Sequence, residues 1–297
     1  MKKIGYIGLG KMGKNMALSL LEKGWSVVAY DRAIEAVEEV RTKGGEGVSS
    51  LAEMVQKMES PRLIWVMVPH QVVDAVCDEL APLLASGDTV IDGGNSNYKE
   101  TLRRNTMFTE KGIHFMDAGT SGGPGGARAG ACVMVGGEKE IFECYEELFK
   151  DISAPDAYGY MGPAGAGHFV KMVHNGIEYG MMQAIAEGFE VLKKSEFNLD
   201  LNNVAKIYNN RSVIESRLTK WLENAYKEHG TDLNNISGKV AASGEGLWTV
   251  EAARDLGVPV PIIEGSLKFR EDSQTNPSYT GQVLSALRNQ FGGHSAQ

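Results

Sequence analysis

The stretch Ile4-Gly5-Tyr6-Ile7-Gly8-Leu9-Gly10-Lys11-Met12-Gly13 decides the fold of the first half of this chain. An apolar, strand-like run leads into the pattern G-x-G-x-x-G, and a helical pattern follows it. Glycine suits the three positions because they need a tight turn, close approach of the backbone to a pyrophosphate, and close packing of helix on strand. The helix amino terminus offers N–H groups and a partial positive charge to phosphates. The stretch therefore predicts a dinucleotide-binding site.

A carboxylate, Asp31, ends the next predicted strand. At this position it would accept a hydrogen bond from the ribose 2′-OH and repel a 2′-phosphate, which favours NAD over NADP. Arg32 leaves the alternative open, because its guanidinium could stack on adenine or bind that phosphate. We therefore expect NAD or NADP, with NAD preferred. The predicted cofactor contacts are Gly8, Leu9, Gly10, Lys11, Met12, Gly13, Asp31, Arg32, Val68, Pro69 and Asn95.

Strand and helix patterns alternate through the first half of the chain. The predicted strands are Ile4–Gly8, Ser26–Tyr30, Leu63–Val68, Thr89–Ile91, Phe115–Asp117 and Ala131–Gly136; the predicted helices are Asn15–Lys23, Ala33–Lys43, Gln71–Leu84, Lys99–Lys111, Glu138–Phe149 and Phe169–Glu190. This alternation predicts a parallel sheet covered on both faces. A loop is expected over Pro155–Gly167, and only helical patterns follow it. We expect a doubly wound, Rossmann-like α/β domain over 1–164 and an all-α domain over 165–297.

Composition excludes several classes of function. The formal net charge of −8 and the absence of a long basic run argue against a nucleic-acid partner. No stretch approaches the roughly 20 apolar residues of a membrane span, and a strand pattern begins too early for a signal peptide. A cytoplasmic location is expected. The three cysteines are widely spaced, form no metal-ligand motif, and are expected to be buried and reduced.

Two glycine-rich loops follow predicted strands. Asp92-Gly93-Gly94-Asn95-Ser96-Asn97 lies at the carboxyl edge of the sheet, where ligands of such folds bind. Ser121-Gly122-Gly123-Pro124-Gly125-Gly126 leaves backbone N–H groups unobstructed, so it could hold a carboxylate. The alternative for each loop is a flexible turn with no ligand.

The long helix after the loops carries a group of polar side chains on one face. Lys171, Asn175 and Glu178 stand at i, i+4 and i+7, with His174 beside them. The alternative is a solvent-exposed face without function. The surrounding residues, Phe169, Val170, Met172, Val173, Ile177 and Met181, are apolar and predict a buried helix. Buried charged side chains need partners or a function, which favours a catalytic face.

Together, Gly8–Gly13, Asp92–Ser96, Ser121–Gly123 and the run Lys171-Met172-Val173-His174-Asn175-Gly176-Ile177-Glu178-Tyr179 resemble the 6-phosphogluconate dehydrogenase family in its short, bacterial form. The glycine loops are common to the wider β-hydroxyacid dehydrogenase superfamily, whereas the helix motif and the Gly-Asn-Ser loop are narrower. The resemblance implies that Lys171 is the general base and Glu178 the general acid. It implies that the substrate is bound by Asn95, Ser121, Gly122, Gly123, His174, Asn175, Tyr179, Arg270, Arg288 and His294.

The resemblance also implies an oligomer, and the sequence departs from the family pattern at one position. Arg288-Asn289-Gln290-Phe291-Gly292-Gly293-His294 matches a tail that reaches into a neighbouring subunit, so a homodimer or dimer of dimers is expected. The tail has little apolar surface and would fray by itself. Long-form members carry a lysine before Gly-x-Gly-x-Trp-Thr, and Ser243 takes that place here.

The resemblance implies a metal-free oxidative decarboxylation of 6-phosphogluconate to ribulose 5-phosphate and CO2. Two alternatives remain. A dehydrogenase of the 3-hydroxyisobutyrate type would share the glycine loops, Lys171 and Asn175, but would stop after oxidation. A non-catalytic NAD(H) sensor would have lost Lys171 or Glu178, and both are present.

Overall fold

The computed structural model describes residues 2–242, 244–293 and 295. The chain divides into two compact units, Met1–Lys171 and Met172–Gln297. Strands and helices alternate through the first unit as β1 (Lys3–Ile7), α1 (Lys11–Glu22), β2 (Ser26–Tyr30), α2 (Ile34–Thr42), β3 (Glu46–Gly47), α3 (Leu51–Gln56), β4 (Leu63–Val66), α4 (Val73–Leu80), β5 (Thr89–Asp92), α5 (Tyr98–Thr109), β6 (His114–Ser121), α6 (Gly123–Ala129), β7 (Ala131–Gly136), α7 (Lys139–Cys144), α8 (Glu146–Ile152) and β8 (Ser153–Gly162). Helix α9 (Ala166–Lys194) runs from the first unit into the second. It is followed by α10 (Leu201–Tyr208), α11 (Arg217–His229), α12 (Glu245–Asp255), α13 (Pro261–Asp272) and α14 (Tyr279–Gly292).

The strands of the described residues form one eight-stranded sheet in the order β3-β2-β1-β4-β5-β6-β7-β8. Strand β1 lies between β2 and β4, pairing Ile7 with Tyr30 on one side and with Val66 on the other. Alternate residues of β1 enter two apolar cores: Ile4 and Tyr6 belong to one, and Ile7 to the other. Since successive strand side chains point to opposite faces, both faces of the sheet are covered. This confirms the predicted doubly wound α/β unit followed by a helical one.

The expectation of a wholly parallel sheet is wrong at one position, because β7 runs antiparallel to β6. A parallel return needs a crossover of roughly a dozen residues or more. Only the short α6 separates the two strands, so the chain turns back beside β6. The remaining paired strands, including β7 and β8, are parallel.

The predicted loop Pro155–Gly167 is also wrong over its first half, which forms the edge strand β8. Proline and glycine in this segment obscured the strand pattern. An edge strand nevertheless tolerates proline, because the N–H groups on its outer side form no hydrogen bonds with another strand. The pairing of β7 with β8 shifts register between Ala131 and Val133. The sequence also missed β3, α3 and α6, and the single helix predicted over Glu138–Phe149 is two helices that meet at Tyr145.

The division between the units falls within α9, after Lys171, whereas the sequence placed the boundary at residue 164. The difference has a local cause. The Asp117 carboxylate on β6 accepts hydrogen bonds from the backbone N–H groups of Gly165 and His168, each at 2.7 Å. The first turn of α9 is therefore bonded to the sheet.

The helical unit has its own apolar core, which includes Met182 and Phe189 of α9, Leu222 of α11, and Val283 of α14. No helix in the described ranges is long and apolar enough to cross a membrane. The expectation that all three cysteines are buried is wrong: Cys77 is buried, but Cys132 and Cys144 are exposed, and all three are free thiols.

Candidate active site

The glycine loop joins β1 to α1 as the sequence predicted. Gly8 has a φ of 95° and its N–H donates to the Tyr30 carbonyl at 2.9 Å. A Cβ at Gly8 would overlap the Met67 carbonyl oxygen, and one at Gly13 would overlap the Gly8 carbonyl oxygen. These glycines thus let the loop fold tightly against the ends of two strands. Helix α1 begins directly after Gly10, so its amino terminus carries no side-chain cap at that position.

Asp31 ties the glycine loop to the end of β2. One carboxylate oxygen accepts the Leu9 N–H at 2.5 Å, and the other accepts the Ala33 N–H at 2.8 Å. The sequence predicted only a ribose contact for this carboxylate. Each oxygen keeps a further lone pair, so Asp31 can accept a hydroxyl hydrogen bond while it holds the loop. Arg32, next to it, is exposed.

A cavity of about 280 Å³ opens beside the glycine loop in the first unit. Its lining contains six of the predicted cofactor residues and four that the prediction omitted. The six are Gly10, Lys11, Met12, Gly13, Val68 and Asn95; the four are Met67, Gly93, Gly94 and Thr120. Gly8, Leu9, Asp31, Arg32 and Pro69 are not part of this lining. The missed residues sit at or just beyond the carboxyl ends of β4, β5 and β6, an edge that the strand pattern could have indicated.

The loop that carries Asn95 is shaped by Asp92 at the end of β5. One oxygen of Asp92 accepts the Gly94 N–H at 3.0 Å, and the other accepts the Ser96 hydroxyl at 2.7 Å. The buried Arg104 guanidinium lies 3.5 Å from that second oxygen. Asn95 itself remains exposed, at the rim of the cavity. The loop is thus a fixed structure, which disfavours the alternative of a flexible turn.

The second glycine-rich segment is less open than the sequence indicated. Ser121 is the last residue of β6, and α6 begins at Gly123. The Gly126 N–H donates to the Gly122 carbonyl within this helix, at 3.0 Å. One N–H group of the segment is therefore used inside the helix, and the expectation that several others are open to a carboxylate stays a prediction.

Helix α9 presents the predicted polar face. Lys171 and Asn175 are 7% and 9% exposed, and His174 and Glu178 are partly exposed. His174 Nδ1 lies 2.9 Å from the Asn175 amide oxygen and 3.9 Å from Glu178 Oε2. A proton on Nδ1 would be donated to the Asn175 oxygen. Lys171 and Asn175 are buried as expected, but the prediction of a buried helix is wrong for most of its apolar neighbours: Met172 is buried, whereas Val170, Ile177 and Met181 are exposed.

The helical unit places a buried arginine against Tyr179. The Arg270 guanidinium carbon lies 3.5 Å from the centre of the Tyr179 ring, and the residue is 2% exposed. Nη1 donates to the Ala241 carbonyl at 3.1 Å. Nε and Nη2 are buried and have no hydrogen-bond acceptor within residues 2–242, 244–293 and 295. Buried donors of this kind are costly unless something accepts from them, and a planar guanidinium suits phosphate.

Arg288 contributes to the same region of the helical unit. Burial lowers the pKa of Arg270 to about 10, and the positive charge of Arg288 adds to the lowering. The Arg270 guanidinium still carries its charge at neutral pH. Glu178 and Glu245 oppose the lowering, but the pKa of Arg270 stays below its usual value. A bound anion would further offset the repulsion and the desolvation.

The predicted description of the C-terminal tail is wrong for Arg288. This residue lies inside α14, is 8% exposed, and follows the buried Leu284, Ala286 and Leu287. The tail was expected to dock on a neighbouring subunit, since Gly292 and Gly293 give it little apolar surface of its own, but the apolar side of the preceding turns packs into the helical core. His294 and Ser243, two other residues considered for the phosphate site, lie outside the described residues.

The arrangement defines a class of protein: a dinucleotide-binding α/β unit and a helical unit, joined by a long helix that carries a lysine-asparagine-glutamate face. Residues 3–163 match the family described as the NAD binding domain of 6-phosphogluconate dehydrogenase. Residues 167–282 match the family described as the 6-phosphogluconate dehydrogenase C-terminal domain.

Individual proteins give the same result. The Bacillus subtilis protein YqeC is 50% identical over 99% of both chains. An NAD(+)-dependent, decarboxylating 6-phosphogluconate dehydrogenase of Haloferax volcanii is 42% identical over 98% of this chain and 97% of its own. A Plasmodium falciparum 6-phosphogluconate dehydrogenase, solved with NADP+ and with 6-phosphogluconate, superposes with a TM-score of 0.81 at 29% identity. That match covers 96% of this chain and 70% of the other. The chain belongs to the 6-phosphogluconate dehydrogenase family.

Proposed function

We propose that this protein catalyses the oxidative decarboxylation of 6-phosphogluconate to ribulose 5-phosphate and CO2, with NAD(P)+ as oxidant. The observation that carries the proposal is the buried Arg270 guanidinium, stacked on Tyr179 with two N–H-bearing nitrogens lacking an acceptor among the described residues. A phosphorylated substrate supplies such an acceptor. A hydroxyacid such as 3-hydroxyisobutyrate carries only its carboxylate and has no second anionic group to offer Arg270, and this disfavours the alternative of a simple dehydrogenase.

The residues of α9 fit the two proton transfers that the reaction needs. Lys171 takes the proton of the C3 hydroxyl; it is buried, and burial favours the neutral amine that a base must be. When bound, NAD(P)+ supplies the hydride acceptor for C3. The resulting 3-keto acid is a β-keto acid, which loses CO2 readily. Protonated Lys171 then stabilises the enolate oxygen, and Glu178 delivers a proton to the enediol carbon that becomes C1 of ribulose 5-phosphate.

Two sets of residues are proposed to bind the substrate. Asn95, Ser121, Gly122, Gly123, His174 and Asn175 would hold the sugar acid, and Tyr179, Arg270, Arg288 and His294 the phosphate. The hydrogen bond of His174 to Asn175 supports a fixed orientation of this pair. For Arg288, its place in the same buried region as Arg270 supports the role.

The proposal is tested by the stoichiometry of the reaction. Purified protein given 6-phosphogluconate and either NAD+ or NADP+ is expected to release one CO2 for each reduced cofactor, with ribulose 5-phosphate as the other product. Absorbance at the reduced nicotinamide band and trapped CO2 measure the ratio. Reduction of the cofactor without CO2 would assign the protein to the non-decarboxylating hydroxyacid dehydrogenases.

We further propose that NAD is preferred over NADP. The glycine loop and the cavity beside it fit a dinucleotide, since the loop leaves the amino terminus of α1 open towards that cavity. Support for the preference comes from Asp31, whose negative charge would meet a 2′-phosphate. The same carboxylate holds the loop through Leu9, so its removal has two separable consequences.

Asp31→Asn is expected to raise the ratio of kcat/KM for NADP+ to that for NAD+ by about tenfold, because a hydrogen bond to a charged group is worth roughly 1.5–3 kcal/mol. Asp31→Ala should raise the ratio too, but should lower both absolute values, because Leu9 and Ala33 also lose their acceptor. Glu35→Gln, which removes a nearby exposed carboxylate on α2, is the control. An enzyme that already prefers NADP+, with its preference unchanged in Asp31→Asn, would show that Arg32 governs the choice.

We also propose a homodimer or a dimer of dimers. Support comes from large apolar side chains exposed on the helical unit, among them Ile177 and Met181 one turn apart on α9, Val213 and Ile214 before α11, and Ile262 on α13. Exposed apolar patches of this kind mark association surfaces. Because Arg288 is built into α14, the proposed oligomer does not depend on a loose tail.

A further inference from the structure

Asp117 is a buried carboxylate that serves as the anchor of the catalytic helix. It lies on β6 with 0% exposure. Its two oxygens accept the N–H groups of Gly165 and His168, at 2.7 Å each. The first N–H groups of a helix have no partner inside the helix, and a negative charge is favourable at this end. Asp117 therefore caps α9 from a neighbouring strand instead of from the helix's own sequence.

The His168 side chain adds a second attachment of the same turn. Its Nδ1 lies 2.7 Å from the Thr101 hydroxyl on α5 and 4.0 Å from Asp117 Oδ2, and both His168 and Thr101 are buried. The first turn of α9 is thus held by a strand and by a helix. Lys171 follows one turn after His168, so its backbone is fixed by the same contacts.

Gly119 brings Lys171 close to the same strand. It stands two residues after Asp117 on β6, and residues two apart in a strand share a face. A Cβ at Gly119 would overlap Lys171 Cβ and would lie 2.9 Å from the Gly167 carbonyl oxygen. The aliphatic stem of Lys171 therefore packs against Gly119, and any side chain at position 119 would displace it.

We propose that Asp117 and Gly119 are positioning residues that set the place of Lys171, Asp117 by bonding the first turn of α9 and Gly119 by admitting the lysine stem. This inference rests on the proposed role of Lys171 as the base. Neither residue needs to touch substrate or cofactor. Misplacement of a catalytic group by about 1 Å can lower a rate by about a hundredfold, so an error in this contact should appear in kcat.

The chemistry of Asp117 makes Asn a suitable probe. Burial raises the pKa of Asp117, while His168 and the two backbone N–H groups oppose the rise. Asn avoids the cost of burying a charge, but it offers only one oxygen, so its NH2 group must face one of the two N–H donors. Asp117→Asn should therefore loosen the first turn of α9 without the full penalty of an empty site.

The first unit contains a matched control for each variant. Asp88 is also 0% exposed and also accepts two backbone N–H groups, from Arg62 at 2.7 Å and Ala85 at 2.9 Å, but it lies before β5. Asp88→Asn thus removes an equally buried anchor that does not hold α9. For Gly119→Ala the control is Gly47→Ala in β3, where a Cβ would lie 2.5 Å from a Val37 methyl group.

The experiment compares the four variants with the wild type at saturating cofactor and 6-phosphogluconate. NADH titration counts competent sites, Tm records stability, and 6-phosphogluconate deuterated at C3 gives the primary isotope effect. We expect Asp117→Asn and Gly119→Ala to lower kcat per NADH site by about ten- to a hundredfold, with NADH affinity within about twofold. The isotope effect on kcat should rise, because the step that uses Lys171 becomes slower.

A purely structural role for Asp117 predicts a different result. Asp117→Asn would then lower Tm as Asp88→Asn does, while kcat per site and the isotope effect stay at wild-type values. This result would overturn the inference. If Asp117→Asn does not fold, the comparison of Gly119→Ala with Gly47→Ala tests the inference by the same three measurements: kcat per site, Tm and the isotope effect. Failure of the proposed function is distinguishable, because the wild type itself would then release no CO2 from 6-phosphogluconate; failure of the lysine's role alone would leave Lys171→Met active.

Discussion

Lys171→Met is expected to abolish turnover of 6-phosphogluconate while NADH binding stays near the wild-type affinity. The substitution removes the base for the C3 hydroxyl and the cation for the enolate. Acid-base catalysis contributes about a hundred- to ten-thousandfold, and loss of one charge-stabilising donor about a hundred- to a thousandfold. A fall in kcat of at least about a thousandfold follows. Steady-state rates and NADH fluorescence titration measure the two quantities.

The matched control is Lys194→Met on the same helix. Lys194 is exposed and pairs with Glu190, so this variant should keep wild-type kcat. Glu178→Gln completes the set: it should slow exchange of solvent hydrogen into C1 of ribulose 5-phosphate more than it slows oxidation, because Glu178 acts after CO2 has left. A Lys171→Met protein that keeps more than about a tenth of the wild-type rate would contradict the proposed role of the lysine.

Arg270→Met is expected to weaken use of 6-phosphogluconate far more than use of unphosphorylated gluconate. The guanidinium stacks on Tyr179 and keeps two nitrogens for an acceptor that the described residues do not supply. Charge-assisted hydrogen bonds are worth roughly 1.5–3 kcal/mol each, and about 1.4 kcal/mol is tenfold in rate. The kcat/KM for 6-phosphogluconate should therefore fall by about a hundred- to a thousandfold, and that for gluconate by less than about threefold.

Two further variants separate phosphate binding from packing. Arg270→Lys keeps the charge but loses the planar pair of donors, so its kcat/KM for 6-phosphogluconate should lie between those of the wild type and Arg270→Met. Arg217→Met removes an exposed arginine whose guanidinium carbon lies 4.9 Å from the Trp221 ring centre on α11. This variant should leave kcat/KM unchanged for both substrates. Equal losses with phosphorylated and unphosphorylated substrate would show that Arg270 supports Tyr179 and does not bind phosphate.

The sequence by itself determined the elements whose signal is local. The glycine loop between β1 and α1 was read from spacing alone, because a tight turn before a helix leaves few residue types that fit. The polar face of α9 was read in the same way, since residues at i, i+4 and i+7 share a face in any α-helix. The glycine loop and the alternation of strands and helices carried the fold class. The helix pattern marked the polar face, and the family resemblance implied which of its residues are base and acid.

Only the tertiary structure decided which distant residues meet. Nothing in the local pattern predicts that Arg270 stacks on Tyr179, that Asp117 bonds the first turn of α9, or that β7 turns back antiparallel to β6. The same holds for Arg288, which the sequence placed in a tail expected to dock on a neighbouring subunit and which the fold buries in α14. Periodicity records how a segment relates to its own neighbours along the chain. Burial, and the pairing of charges that burial demands, depend on the path of the whole chain.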